Sequence, residues 1–171
     1  MKTLYESILD DDVKIMDRAD KKAEAYLERK KKIDLVLDAF EELALDYDFK
    51  WAHDLDFGPD PHINSRDAIA RYFSKRNKNK AGKQELIKVY RFLKDKFTSI
   101  WDECMPEENL TLNNGPCAAF VFKNLGIRVW INLDNRSNTL SVYNDTYIMI
   151  CFDKKDKYVE DAINKLVKKT S

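Results

Sequence analysis

The pattern of apolar and polar positions changes period several times along the chain, and each period predicts a different element. Near the start, Leu4, Tyr5, Ile8 and Leu9 fall at i, i+1, i+4 and i+5, and Asp10, Asp11 and Asp12 follow. That spacing is one face of two helical turns. A helix so short is unstable alone in water. Residues 1–12 therefore read as an amphipathic leader that docks on a partner or on its own core. Residues 13–45 read as a long helix with a break near Lys30, Lys31 and Lys32. Its second half, with Ile33, Val36, Leu37, Phe40 and Leu43, keeps a clean helical period. Its first half has a thin, alanine-rich stripe, so its packing is weak or comes from a partner.

Residues 46–64 lose periodicity and read as a loop containing Tyr47, Phe49, Trp51, Phe57, Pro59 and Pro61. A helix over 65–77 follows, capped by Asn64 or Ser65 and burying Ala68, Ile69, Tyr72 and Phe73. Residues 77–82 read as a turn. From 83 to 104 the residues Leu86, Tyr90, Leu93, Phe97, Ile100, Trp101 and Cys104 repeat with helical spacing. Ile87, Val89 and Phe92 widen that face enough to lie against a sheet. Met105 and Pro106 end the helix.

Beyond the proline the period shortens. Residues 117–123 are almost wholly apolar, as in a strand covered on both faces. Over 126–133, Ile127, Val129, Ile131 and Leu133 alternate with Arg128, Trp130 and Asn132. Asp134 to Asn138 is turn chemistry, and residues 139–143 and 146–153 form a hairpin around Asn144 and Asp145. A helix over 155–168, with Tyr158, Val159, Ala162, Ile163, Leu166 and Val167 on one stripe, closes the chain. The expectation is an α+β fold. A long, a short and a second long amphipathic helix pack on a three- to four-stranded antiparallel meander with a C-terminal amphipathic helix. The leader (1–12) precedes one domain (13–171), helical over 13–104 and meander plus helix over 105–171.

Composition changes this reading little. The chain has 171 residues, enough to bury a core without disulfide or metal support. Its charged fraction of 35% argues for long solvated helices, and its aromatic fraction of 12% argues against disorder. Net charge is zero, which gives no global field for nucleic acid or membrane. The cysteines Cys104, Cys117 and Cys151 are odd in number, lie in apolar settings and form no CxxC pair. They read as buried thiols of a reducing compartment, so the expected location is the cytoplasm. No apolar run suits a signal peptide or a membrane span.

Local charge is more informative. Residues 38–62 hold eight acids against Lys50 alone, and residues 66–96 hold eleven bases against three acids. Within the basic block, Arg71, Lys75, Arg76, Lys78, Lys80 and Lys83 form a candidate nucleic-acid clamp, because clustered cations neutralise phosphates. Both histidines lie in the acidic block. His53, Asp56 and His62 form a candidate metal set, imidazole and carboxylate being ligands for zinc, iron or manganese. Cys117 and Cys151 are candidate nucleophiles only with a base nearby, and buried structural thiols explain them better. The Asn and Asp residues of 132–138 suggest a calcium loop, but the glycine and terminal glutamate of such a loop are missing and a hairpin turn fits better.

The leader, Leu4-Tyr5-Glu6-Ser7-Ile8-Leu9-Asp10, resembles an opening that recurs in uncharacterised proteins of gut bacteria and their tailed phages. The resemblance implies a docking or targeting peptide and a phage or mobile-element setting, with assembly into a virion as one destination. It implies nothing for residues 13–171. Together these readings favour an interaction or structural-assembly protein without enzymatic activity or cofactor. It would bind a protein partner or its own copies, with Leu4, Tyr5, Ile8 and Leu9 as contact residues. A nucleic-acid accessory protein and a metal-dependent enzyme are the alternatives.

Overall fold

The stretch Ser65–Lys78 carries two periods at once. Ala68, Ile69, Tyr72 and Phe73 fit a helical face, yet Ala68, Ala70 and Tyr72 also alternate with Ile69, Arg71 and Phe73. In the computed structural model, which describes residues 3–78, 81–110, 115–134 and 143–171, the stretch is a strand. Alternation wins because both of its faces are needed. Phe73 enters the main core, while Ala68 and Ala70 line a smaller cluster on the opposite face.

Helix α1 (Leu4–Asp46) comes first, then strands β1 (Lys50–Asp60) and β2 (Ser65–Lys78), joined through a 3-10 turn at Pro61–Ile63. Helix α2 (Gly82–Lys96) and a 3-10 segment (Thr98–Glu103) lead to β3 (Met105–Asn109) and β4 (Cys117–Phe122). Strands β5 (Ile127–Asp134) and β6 (Tyr143–Asp153) follow, and α3 (Lys157–Thr170) closes the chain. Among the described residues, six strands make one sheet in the order β1-β2-β6-β5-β4-β3, every neighbour antiparallel.

This corrects the expected architecture in several places. The sheet has six strands where three or four were expected. The supposed loop over 46–64 contains β1, and the supposed helix over 65–77 is β2. β1 reads poorly because it is an edge strand, mostly exposed, with bulges near Trp51 and Gly58 that break its alternation. β3 is a second edge strand with all five residues exposed, so it has no apolar signature. The supposed helix over 83–104 stops at Lys96 and continues as the 3-10 segment. Helices and strands therefore interleave, and no helical half precedes a β half. The expected hairpin at Asn144 and Asp145 is instead the start of a single strand, β6. Residues 135–142, which include much of the expected turn and the strand before it, lie outside the described residues.

The helices cover one face of the sheet. Phe73, Phe120, Phe122, Val129, Ile148 and Ile150 meet Val36, Phe40, Leu86, Leu93, Ile163 and Leu166 there. The 3-10 turn caps one end of the other face through Ile63, which joins Ala68, Ala70, Met149 and Cys151. Gly82 opens α2 against the sheet. An added Cβ at this position would stand 2.2 Å from Leu133 Cδ1 and 2.5 Å from Asn144 Oδ1.

α1 is unbroken over 43 residues. Its leader and its lysine run are ordinary helix, because lysine is a good helix former and no Gly or Pro interrupts the run. Thr3 starts it with a capping box. The Thr3 hydroxyl accepts from the Glu6 backbone N–H at 3.2 Å, and the Glu6 carboxylate accepts from the Thr3 N–H at 3.2 Å. Only the second half of α1 packs on the body, and its buried residues are Ile33, Val36, Leu37, Ala39, Phe40, Leu43 and Ala44. No helix among the described residues is long and apolar enough to cross a membrane.

Candidate functional site

The first half of α1 buries nothing. From Thr3 to Arg29 the residues are exposed, Asp10 being half-buried. The body takes hold of the helix at Arg29, whose guanidinium donates to the backbone oxygens of Asn124 (3.2 Å) and Leu125 (3.3 Å). Lys30 then lies over the Tyr158 ring at 5.2 Å, and Lys32 pairs with Glu103 at 2.8 Å. That hydrogen bond holds the Glu103 carboxyl below its usual range and the Lys32 ammonium above its own. The anchor fixes where the free half begins.

The free half is nonetheless amphipathic. Leu4 is 79% exposed, Tyr5 72%, Met16 67% and Tyr26 65%. With Ile8, Leu9, Val13, Ile15 and Leu27 these exposed side chains fall within about half the helix circumference at 3.6 residues per turn. Ala19 and Ala23 lie in the middle of the same stripe, and charged residues occupy most of the remainder. The large apolar side chains stay exposed along the whole stripe, which the packing of the described residues does not explain. Leu4, Tyr5, Ile8 and Leu9, singled out from the sequence, are its first third. Val13, Met16, Tyr26 and Leu27 were missed as site residues, although the heptad spacing of Met16 and Tyr26 with Tyr5 and Leu9 is visible in the sequence.

The candidate metal residues are not brought together. His53 sits on β1 with its ring stacked on Tyr72, the centroids 4.6 Å apart. Asp56 pairs with Lys154 at 2.9 Å. His62 is exposed in the 3-10 turn. Among the described residues no three His, Cys, Asp or Glu side chains converge.

The basic segment is likewise dispersed. Arg71 is buried, its Nη1 donating to Asn164 Oδ1 at 2.8 Å and its Nε 3.3 Å from Asp54 Oδ1. Lys75 pairs with Glu85 at 2.6 Å beneath the Tyr47 ring. Arg76 points to the other face of β2, where it meets Asp145. Lys78 ends β2 and Lys83 lies in the first turn of α2, both exposed; Lys80 is outside the described residues. The acidic and basic blocks thus meet across the fold, Arg71 with Asp54 at 3.3 Å and Lys96 with Glu42 at 3.0 Å. The groove of about 460 Å³ between α1 and α2 contains the second pair and is otherwise lined by Lys31, Asp34, Leu35, Asp38 and Ala39.

Burial raises the Cys151 thiol to about 12 and the Cys104 thiol to about 11. Both are protonated at neutral pH and unsuited to nucleophilic attack. Of the candidate sites, the free half of α1 is therefore the one whose geometry is unexplained by the fold itself. No family model, no curated protein and no solved structure matches the chain.

Proposed function

We propose that this chain is an interaction or assembly protein in which the sheet and its helical layer form a rigid body, and the free half of α1 is an arm that docks on a protein partner. One observation carries this reading. An apolar stripe from Leu4 to Leu27, interrupted by Asp12, stands exposed on a helix whose second half is firmly packed. An amphipathic helix gains stability by burying such a face in a groove or against another helix. The resemblance of the leader to openings that read as docking peptides supports the same use of these residues.

Photo-crosslinking from position 13 of the full chain in its native cells tests the reading. Specific adducts, whether to another protein or to a second copy, are expected. They should vanish in the Leu9→Asp/Met16→Asp/Tyr26→Asp variant, which leaves the body intact. If the wild-type chain gives no adduct that depends on these three residues, the reading fails.

A further inference from the structure

We infer that the occupant of the arm is the arm of a second copy, laid antiparallel, so that the protein is a dimer with a body at each end; this rests on the arm reading above and names its partner. Three observations favour it. The first is charge. Residues 6–20 carry six acids (Glu6, Asp10, Asp11, Asp12, Asp17, Asp20) against Lys14 and Arg18. Residues 21–31 carry five bases (Lys21, Lys22, Arg29, Lys30, Lys31) against Glu24 and Glu28. An antiparallel pair centred on the arm sets residues 6–14, with four acids and one base, beside residues 21–29 of the second copy, with three bases and two acids, whereas a parallel pair sets like charge against like.

The second observation is the seam. Tyr5, Leu9, Asp12, Met16, Ala19, Ala23, Tyr26 and Lys30 fall alternately four and three apart, the a/d spacing of a coiled coil. In an antiparallel pair, Leu9 meets Tyr26 of the second copy and Met16 meets its Ala19. Asp12 then faces Ala23 and Tyr5 faces Lys30. A parallel pair would bury Asp12 against Asp12 and set Lys30 against Lys30, which disfavours it.

The third is length. This register overlaps residues 4–31 of both copies, about 40 Å of helix at 1.5 Å per residue, and ends where each body begins. It brings Tyr5 of one copy to the root of the other's arm. A notch of about 150 Å³ lies there, lined by Tyr26, Arg29, Lys30, Ile33, Asp156 and Tyr158. Its two tyrosines and the stem of Lys30 suit an aromatic ring.

Differently tagged full-length Leu9→Cys and Tyr26→Cys variants test the register by oxidative crosslinking, with wild type as the control for the native thiols. The mixture is expected to give a disulfide-linked pair carrying both tags. Leu9→Cys alone should give no more than wild type. A strong Leu9→Cys self-link, with no mixed product, would overturn the antiparallel arrangement. A monomer in sedimentation equilibrium at 100 µM (about the highest routine concentration), with no mixed product, would overturn self-pairing altogether. If position-13 adducts to another protein persisted in that case, the arm would stand as a docking element and only its proposed partner would fall.

Discussion

Arg128 and Asp60 form a pair between β5 and the end of β1, across the two intervening strands β2 and β6. Nη2 and Nε of Arg128 both donate to Asp60 Oδ2, at 3.1 Å and 3.2 Å, and the Asp60 side chain has no exposure to solvent. The Phe57 ring covers the guanidinium at 5.0 Å. This pair ties the β1–β2 hairpin down over the sheet face that the helices leave open. Removing one partner strands a buried charge, so Arg128→Met is expected to cost about 3–5 kcal/mol. Urea denaturation measures this loss. A cost below about 1 kcal/mol would show that the pair is not what holds the hairpin.

Gly82 lies where α2 meets β5 and β6, with Leu133 and Asn144 inside contact distance of any Cβ. Gly82→Ala forces both side chains to move. Overpacking of this kind costs about 1–3 kcal/mol, read as a lower thermal midpoint. The intuitive gain from adding a helix former at a helix start should not be seen.

The thiols report on burial. Cys117 is half-buried, whereas Cys104 and Cys151 are buried and their thiols raised to about 11 and about 12. At pH 8, iodoacetamide is expected to label Cys117 first in the native protein, and the other two only after unfolding. Mass spectrometry of labelled peptides decides this. Rapid native labelling of Cys151 would contradict its placement between the sheet and the 3-10 turn.

Asp153 sets an acid limit. Its carboxylate accepts from the Ser65 hydroxyl at 2.5 Å and from the Lys155 N–H at 2.8 Å, and these bonds hold its pKa below the usual carboxylate range, the serine bond first. A lowered folded-state pKa contributes stability that is fully present above the unfolded value, about 4, and is lost as pH falls through the folded value. The stability difference between wild type and Asp153→Asn should therefore be full at pH 6 and shrink below about pH 4.

The arm is dispensable to the body. Deleting residues 1–27 removes no buried side chain among the described residues and leaves Arg29 in place to cap the root. The unfolding free energy of the body is expected to change by no more than about 1 kcal/mol, as for surface positions generally. Circular dichroism melts of the truncated chain check this.

What the sequence disclosed follows burial. Val36, Phe40, Leu86, Leu93, Val129, Ile131, Ile163 and Leu166 are fully or almost fully buried, and the periods they set located the packed parts of α1 and α2, together with β5 and α3. β1 and β3 carry little burial and so imprinted no period. β2 misled because Ala68, Ile69, Tyr72 and Phe73 satisfy a helix and a strand equally, and only pairing with β6 decides between them. Thr3 and Glu6 spelled out the helix start three residues apart, a signal that was there to be read. For the candidate site, Leu4 to Leu9 stood out because nothing interrupts them. The rest of the stripe was obscured by Asp12, Asp20 and Lys22 and by the small Ala19 and Ala23, which look like weak packing until the apolar side chains around them are seen to be exposed.

The most direct test of the self-pairing arm is hydrogen–deuterium exchange over residues 4–29 as a function of protein concentration. Protection is expected to rise with concentration and to disappear in Leu9→Asp/Tyr26→Asp, while β6 stays equally protected throughout. Exchange in residues 4–29 at unprotected rates at every concentration, with β6 protected, would contradict self-pairing.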